Sequence, residues 1–317
     1  MSGRALVYVD ERPLFAFLER RLRAPMLEPV LLAPLREFLS RPGKQLRAQL
    51  VQLSWELAGG RGELPLELPM ALELLHAGSL IVDDVEDGAL ERRGSPALHL
   101  IAGLPVALNA GNWLYFAALE LLDALRLDDH RGVLVQRRAH TQLARCHEGQ
   151  ALDVGVRVSS VQQGEVAGLA RAISERKTGG LSGLSASLAA ICAGARPGVE
   201  LALQEFGVSL GIALQILDDC SAITCEARRE KGREDLENER VTWAWALAAR
   251  KLDGPSYRSL LRAKSLTSLC EVIGDDGRLL GRDELSAALQ TLREALGDSL
   301  ALDRAVKLAQ LLEQSYG

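Results

Sequence analysis

The residues best suited to chemistry in this sequence are a group of acids followed at once by two arginines. Asp83 and Asp87 are four positions apart, which on an α-helix places both carboxylates on one face, one turn apart. Like charges at that spacing repel unless a cation lies between them, and carboxylates with water and substrate phosphate suit Mg2+. Arg92 and Arg93 follow, and adjacent arginines can clamp a phosphate through paired hydrogen bonds. The pattern indicates a site for a magnesium–diphosphate complex.

The residues around this motif indicate a cavity with a charged rim. Asp84 lies about 100° around the helix from Asp83 and could fix the motif through a contact behind the metal ligands. Residues 74–82, before the acids, are apolar apart from His76 and Ser79. An acidic cluster alone is more often a solvated helix end, so the arginines that follow carry the interpretation.

The elements that must position these residues are predicted to be helices. Apolar residues recur at helical spacing along nearly the whole chain, and aromatic residues make up only 4% of it, which favours helices over sheets. No alternating pattern of useful length indicates strands. Residues 224–240 are densely charged and predict a solvated loop or short helix. We therefore expect an all-α multi-helix bundle with its sites between facing helices. The expected helices are residues 12–22, 29–40, 43–58, 66–90, 104–126, 130–155, 162–176, 180–194, 199–222, 241–252, 257–263, 266–274, 283–296 and 299–315.

Composition narrows the class of protein. No linker or long charge run divides the sequence, so residues 1–317 are expected to form a single helical domain. The net charge of −5 gives no sign of a nucleic-acid partner. The five cysteines fit no metal-binding spacing and predict reduced thiols in a cytoplasmic protein. No signal-peptide core and no run of about 20 apolar residues is found, so no integral membrane segment is expected.

Six ordered matches connect the sequence with a known family. The segment from His76 to Asp87, with Arg92-Arg93-Gly94 after it, resembles the trans-isoprenyl (polyprenyl) diphosphate synthases. The resemblance spans roughly residues 40–245 and implies a helical bundle of the isoprenoid synthase type around a central cavity, usually as a homodimer. The other matching motifs are Gly43-Lys44 with Arg47, Gln150 with Asp153, Lys177-Thr178-Gly179, Gln215 with Asp218-Asp219, and Lys231-Gly232 with Asp235-Leu236.

The resemblance implies a prenyltransferase that condenses isopentenyl diphosphate with an allylic diphosphate after magnesium-assisted ionisation. It implies three Mg2+ ions per active site, for which Mn2+ can substitute, held by Asp83, Asp87 and Asp218, with Asp84 and Asp219 behind them. The catalytic residues would be Lys177, Thr178 and Gln215. The residues contacting the allylic diphosphate would be Arg92, Lys177 and Lys231, with Arg240 as a further substrate-binding cation. The residues holding isopentenyl diphosphate would be Gly43, Lys44, Arg47, His76 and Arg93.

The sequence departs from the family at several motif positions. Ala222 stands where the second acidic motif usually has its last carboxylate. Arg240 replaces a lysine, Asn112 an aspartate and Ala48 a proline. Loss of the carboxylate could weaken one metal site or mark altered chemistry, although Mg2+ usually keeps several waters.

Two other functions stay open at this stage. One is a class I terpene cyclase, or an enzyme that transfers the prenyl group to another acceptor. The other is a non-catalytic subunit of a heteromeric prenyl diphosphate synthase. Lys44, Arg47 and His76 argue against a cyclase, because a cyclase needs no isopentenyl site.

Small residues before the first acidic motif bear on product length. Gly78 and Ser79 would let a growing chain pass, which favours a product of fifteen carbons or longer; close helix packing at Gly78 is the other explanation. The aromatic residues Trp113, Tyr115 and Phe116 could floor the cavity instead, or belong to the core.

Two further groups contain basic residues and histidines. Arg228, Arg229 and Lys231 could form a lid over diphosphate. The histidines His130, His140 and His147 have no evident ligand partner and are expected at the surface or in packing contacts.

Overall fold

The computed structural model describes residues 12–43 and 45–314, and the predicted ligand Lys44 lies outside the described residues. Over the described residues the fold is all-α, as predicted. The helices are α1 (Arg12–Arg21), α2 (Ala33–Leu39), α3 (Leu46–Leu57), α4 (Glu67–Asp87), α5 (Leu98–Ala102), α6 (Leu104–Asp123), α7 (Asp129–Gly155), α8 (Val166–Ser174), α9 (Gly180–Ala193), α10 (Pro197–Thr224), α11 (Arg229–Glu237), α12 (Trp243–Lys251), α13 (Gly254–Ala263), α14 (Leu266–Ile273), α15 (Asp276–Leu296) and α16 (Leu300–Gln314).

Short turns and one hairpin complete the described secondary structure. The 3-10 turns are Pro25–Leu27, Val158–Ser160, Gln163–Glu165 and Glu226–Arg228, and the π-helical turns are Glu28–Leu32 and Glu175–Gly179. The strands β1 (Glu91–Arg92) and β2 (Ser95–Pro96) form an antiparallel pair.

The helix that carries the first acidic motif ends earlier than predicted, and a hairpin follows it. A helix was expected through residue 90, but α4 ends at Asp87. The strands β1 and β2 are joined by Arg93 and Gly94, whose φ angles are 55° and 77°. A tight two-residue hairpin of this kind needs positive φ at both positions, which glycine adopts without steric cost. The hairpin brings Arg92 back against the acidic end of α4.

The Lys177-Thr178-Gly179 motif lies in a π-helical turn rather than in a loop. Separate helices were expected at residues 162–176 and 180–194, but α8 continues through Glu175–Gly179 directly into α9. Such turns often mark functional sites, because they redirect side chains within a helix. Near the C-terminus α15 begins at residue 276, seven positions before the predicted start at residue 283.

The helices α9 and α10 form the centre of the fold. Nearly all of α9 is buried, as its small apolar residues predicted. Close approach of the two helices depends on glycine, because a Cβ added at Gly211 of α10 would lie 2.5 Å from the Cα of Gly179. This packing sets the second acidic motif on α10 beside the π-helical turn.

The apolar helix α10 bears on the expectation that the protein has no integral membrane segment. By length and composition alone α10 could cross a bilayer, and 78% of its apolar window is buried inside the protein. Core helices pass the same test, so the apolar composition of α10 is used in packing against α9, α12 and α15.

Candidate active site

A cavity of about 1220 Å3 lies between α4, α7, α10, α11 and the π-helical turn, and both acidic motifs face it. Among the predicted site residues that the structure describes, three do not line this cavity: Gly43, Asp84 and Arg93. The predicted residues that do are Arg47, His76, Asp83, Asp87, Arg92, Lys177, Thr178, Gln215, Asp218, Asp219, Lys231 and Arg240.

Asp83 is held by a lysine from the π-helical turn and an amide from α7. Lys177 Nζ lies 2.8 Å from Asp83 Oδ1, and Gln150 Nε2 lies 2.9 Å from the same oxygen. Burial raises the pKa of Asp83, but the Lys177 charge and the two hydrogen bonds outweigh it, so the pKa lies below its ordinary value. Lys177 also binds Asp153 Oδ2 at 2.7 Å. The carboxylate is therefore charged and fixed in place.

Asp87 faces the same cavity one helical turn later. Burial, and then the negative charge of Asp83, raise the pKa of Asp87 to about 7. Arg240 forms an ion pair with Asp87 and donates to the Asp153 carbonyl at 2.6 Å. The arginine that replaces the family's lysine thus links α4 to the end of α7.

Asp84 points away from the cavity, toward the hairpin. Its side chain is 1% exposed, and Arg92 donates to its Oδ1 through Nε at 2.7 Å and through Nη2. The same guanidinium lies 3.8 Å from Asp83. Asp84 therefore orients Arg92 from behind.

The second acidic motif forms the opposite wall. Asp218 pairs with Lys231 through one carboxylate oxygen and with Arg228 through the other. Ala222, one turn further along α10, is fully buried and does not line the cavity. A carboxylate at that position would therefore enter the packed interior rather than the open cavity.

The donor set fits magnesium. Asp83, Asp87 and Asp218 supply hard oxygen atoms to one cavity, and the pKa of Asp87 is raised by burial and then by the like charge of Asp83, both of which a bound cation would offset. In the described chain no three Asp, Glu, His or Cys side chains are yet gathered tightly enough to form a metal site. Each of these three aspartates is instead paired with lysine or arginine.

Polar groups at the centre of the cavity form a continuous hydrogen-bond chain. Thr178 Oγ1 donates to Gln215 Oε1 at 2.7 Å, and Gln215 Nε2 donates to Asp219 Oδ1 at 2.7 Å. The backbone N–H of Trp243 donates to Asp219 Oδ2 at 2.9 Å. Burial raises the pKa of Asp219 to about 7. The sequence matched Thr178 and Gln215 to the reaction centre, and the fold joins them directly.

A second basic group lies beside the hairpin. Arg47 Nη1 is 3.1 Å from His76 Nε2, and a Cβ added at Gly43 would lie 3.2 Å from the Arg93 guanidinium. Burial, and then the charges of Arg47 and Arg93, lower the pKa of His76 well below its ordinary value. His76 is therefore neutral and accepts from Arg47. Positive groups around a neutral histidine suit an anion such as a diphosphate.

The apolar part of the cavity extends along α4 below the acids. Ser79 and Leu75 line it, together with Tyr115, whose ring meets that of His147 edge to face at 5.5 Å. Gly78 does not line it, because a Cβ there would lie 2.8 Å from the Gly111 carbonyl oxygen of α6. Close packing is thus the explanation for Gly78, whereas Ser79 is the small residue in the cavity.

Of the other aromatic and histidine residues considered above, His147 lines the cavity and the rest do not. Phe116 is 71% exposed, and Trp113 is half-buried against the core. His130 and His140 are exposed on α7, as expected, whereas His147 is an additional lining residue.

Sequence reasoning assigned no role to three residues that position the site. Gln150 and Asp153 lie three apart on one face of α7 and bind Asp83 and Lys177; their motif spacing was the available signal. Arg41 is buried and donates to the carbonyls of Arg92, at 3.1 Å, and Pro96, at 2.8 Å, which fixes the hairpin. Nothing near Arg41 in the sequence indicates partners more than fifty residues away.

Comparisons with known proteins agree with this arrangement. Residues 28–267 match the family described as polyprenyl synthetase. The geranylgeranyl diphosphate synthase of Sulfolobus acidocaldarius is 34% identical over 59% of this chain, and the geranylgeranyl pyrophosphate synthase of Geoglobus acetivorans is 33% identical over 65%. The matched part of the chain spans 56% and 64% of the length of these two relatives.

Solved structures share the fold over nearly the whole chain. The geranylgeranyl pyrophosphate synthetase of Geoglobus acetivorans has a TM-score of 0.77 at 26% identity, over 96% of this chain and 97% of the other. A decaprenyl diphosphate synthase from Rhodobacter capsulatus has a TM-score of 0.80 at 20% identity, over 95% and 94%, which is a likeness of fold alone.

Proposed function

The chain belongs to the polyprenyl synthetase family, and we propose that it condenses isopentenyl diphosphate with an allylic diphosphate to lengthen a prenyl chain. The observation that carries this proposal is the pairing of two acidic walls across one cavity. Asp83 and Asp87 lie on one side and Asp218 on the other, with lysine and arginine partners at each. An apolar extension beside Leu75 and Ser79 offers room for the growing chain.

Breaking the allylic carbon–oxygen bond places negative charge on the departing diphosphate and positive charge on carbon. Lys177, Lys231 and Arg92 supply fixed positive charge for the diphosphate, since their partners already orient them. Mg2+ held by the three aspartates would neutralise further diphosphate charge. The apolar walls keep water away from the allylic carbon.

The second substrate is assigned to the basic group beside the hairpin. Arg47, Arg93 and the neutral His76 can receive the diphosphate of isopentenyl diphosphate, whose double bond then attacks the allylic carbon. The cation formed by this attack loses a proton to an oxygen of the departed allylic diphosphate, which restores a double bond. This second anion site favours chain elongation over cyclisation of one allylic diphosphate. The pairing of Lys177 with both Asp83 and Asp153 in the first acidic wall favours an enzyme over a non-catalytic subunit.

The product is proposed to contain fifteen carbons or more. The small residue Ser79 lines the apolar extension, where a bulky side chain would stop a growing chain. The names of two relatives, both geranylgeranyl diphosphate synthases, support a product in this range.

A homodimer is also proposed, because α6 exposes Leu104 and Phe116 to solvent in the single chain. Light scattering of the purified protein tests it. A monomer at micromolar concentration would contradict this assignment. The cytoplasmic location stays a prediction.

The decisive experiment incubates the purified protein with Mg2+, isopentenyl diphosphate and allylic diphosphates of increasing length, followed by chromatography of the dephosphorylated products. We expect longer linear prenyl alcohols only when both substrates are present. A cyclic hydrocarbon from one allylic diphosphate alone would assign the protein as a cyclase. No product from any primer would overturn the proposal.

A further inference from the structure

The cavity contains a hydrogen-bond chain whose direction matters for the reaction. It runs from the backbone N–H of Trp243 to Asp219, and from Thr178 through Gln215 to the same carboxylate. The heavy-atom distances are 2.7, 2.7 and 2.9 Å, and the Asp219 side chain is 7% exposed. Both carboxylate oxygens therefore have a protein donor.

The two ends of the chain decide how the amide of Gln215 is oriented. The Trp243 N–H lies at the start of α12, where backbone N–H groups have no partner within the helix, and it can only donate. The other oxygen of Asp219 lies 2.7 Å from Gln215 Nε2, and an amide NH2 group can only donate. This contact turns the amide carbonyl of Gln215 toward Thr178. The hydroxyl group of Thr178 then donates its hydrogen bond to Gln215 Oε1.

We propose that Asp219 is a positioning residue, which fixes the direction of this chain so that the oxygen lone pairs of Thr178, rather than its proton, face the allylic carbon. The proposal rests on the function proposed above. An oxygen dipole with its negative end toward a carbon that becomes positive stabilises the transition state, whereas an O–H dipole turned the other way destabilises it. Both electrostatic effects are stronger in the cavity interior than in water, because the dielectric constant there is lower.

The position of Asp219 beside Asp218 suggests another role, behind the metal ligands. Its contacts favour the positioning role, because Gln215 and Trp243 each donate to one of its two oxygens. Arg228 and Lys231 form ion pairs with the neighbouring Asp218 instead. The two roles predict different kinetics.

Asp219→Asn separates these roles, because it keeps the shape and removes one acceptor. The asparagine oxygen takes the Trp243 N–H, since an unpaired buried N–H is costly. Its NH2 group then faces Gln215, the amide of Gln215 turns around, and Thr178 becomes an acceptor with its proton toward the cavity. We expect kcat to fall about 100-fold, as for a misdirected transition-state dipole, with KM for both diphosphates changed by less than about threefold.

A double-mutant cycle with Thr178→Val tests the direction itself. In the wild type, valine removes a helpful oxygen and should lower kcat about tenfold or more. In the Asp219→Asn background, valine removes a proton that points the wrong way, so the double variant should be no slower than Asp219→Asn alone. Thermal unfolding of each variant checks that the fold is retained.

The outcomes are distinct. Multiplicative losses in the double variant, or wild-type kcat in Asp219→Asn, would overturn the proposal. Recovery of Asp219→Asn by added Mg2+ would also overturn it, in favour of a role in metal binding. Wild-type protein is assayed alongside. If the wild type forms product and any of those outcomes is seen, this inference alone is rejected. If the wild-type protein forms no product, both the proposed function and this inference are rejected.

Discussion

Lys177 and Asp83 are joined across the cavity by a hydrogen-bonded ion pair, with 2.8 Å between Nζ and Oδ1. The ammonium group also binds Asp153 at 2.7 Å, so α4, α7 and the π-helical turn meet at one lysine. A charge fixed in this way before substrate arrives needs little reorganisation during the reaction. The same lysine therefore holds these elements together and supplies positive charge to the cavity.

Replacement of Asp83 by asparagine should lower prenyl transfer by about 100-fold or more, because a metal-binding carboxylate is lost. The fold should persist, since Lys177 keeps Asp153 as its partner. Steady-state rates at saturating Mg2+ and thermal unfolding measure the two effects. Asp123→Asn, at an exposed site on α6, is the matched control. Unchanged turnover in Asp83→Asn would refute the metal assignment.

Gly232→Ala should push α11 away from α10. The added Cβ would lie 2.3 Å from the backbone oxygen of Ala222, which cannot move aside cheaply. We expect a loss of about 1–3 kcal/mol in the free energy of unfolding. KM for the allylic diphosphate should rise, because the neighbouring Lys231 moves with α11.

The matched control is Gly168→Ala in α8, where nothing lies within 4 Å of the new atom. That variant should gain about 0.5–1 kcal/mol from helix propensity. Urea unfolding compares the two variants. Equal stability in both would show that the contact between α10 and α11 is looser than described.

Ser79→Phe should shorten the product, because Ser79 lines the apolar extension of the cavity. Gly78→Ala should leave the product unchanged and lower stability by about 1–3 kcal/mol, because the new Cβ meets the Gly111 backbone at 2.8 Å. Chromatography of the prenyl alcohols and thermal unfolding measure these effects. A shorter product from Gly78→Ala with unchanged stability would reverse the two assignments.

The neutral state of His76 should make folding stability depend on pH. Burial and the Arg47 charge lower the pKa of His76 in the native state, whereas in the unfolded chain it is about 6.5. The unfolded state therefore binds a proton that the native state refuses as pH falls. His76 thus contributes stability that is present above about pH 6.5 and lost toward its native pKa, by at most about 1.4 kcal/mol per pH unit.

His76→Gln tests this linkage, because glutamine can still accept from Arg47 but does not titrate. The free energy of unfolding is measured for both proteins from about pH 8 to pH 5, and the value for the wild type minus that for the variant should decrease as the pH falls, because the other titrating groups are common to both. His130→Gln, at an exposed site on α7, controls for loss of a histidine. Parallel curves for wild type and His76→Gln would contradict the pKa assignment.

Much of the site could be predicted because its information is local. Helical spacing alone places Asp83 and Asp87 one turn apart on one face, and both line the cavity. The motif at Lys177 was found by its residues, although its π-helical turn was not, because that turn depends on how α8 and α9 pack.

What the sequence by itself determined was the helical class, the first acidic wall and the order of the motifs, since periodicity and motif spacing are properties of neighbouring residues. Only the tertiary structure decided that Asp84 turns to Arg92, that Gly78 serves helix packing and that Ala222 is buried. It also decided that Asp219 lies between Gln215 and Trp243. The physical reason is that these contacts depend on which helices meet, and that choice is made by burial over the whole chain.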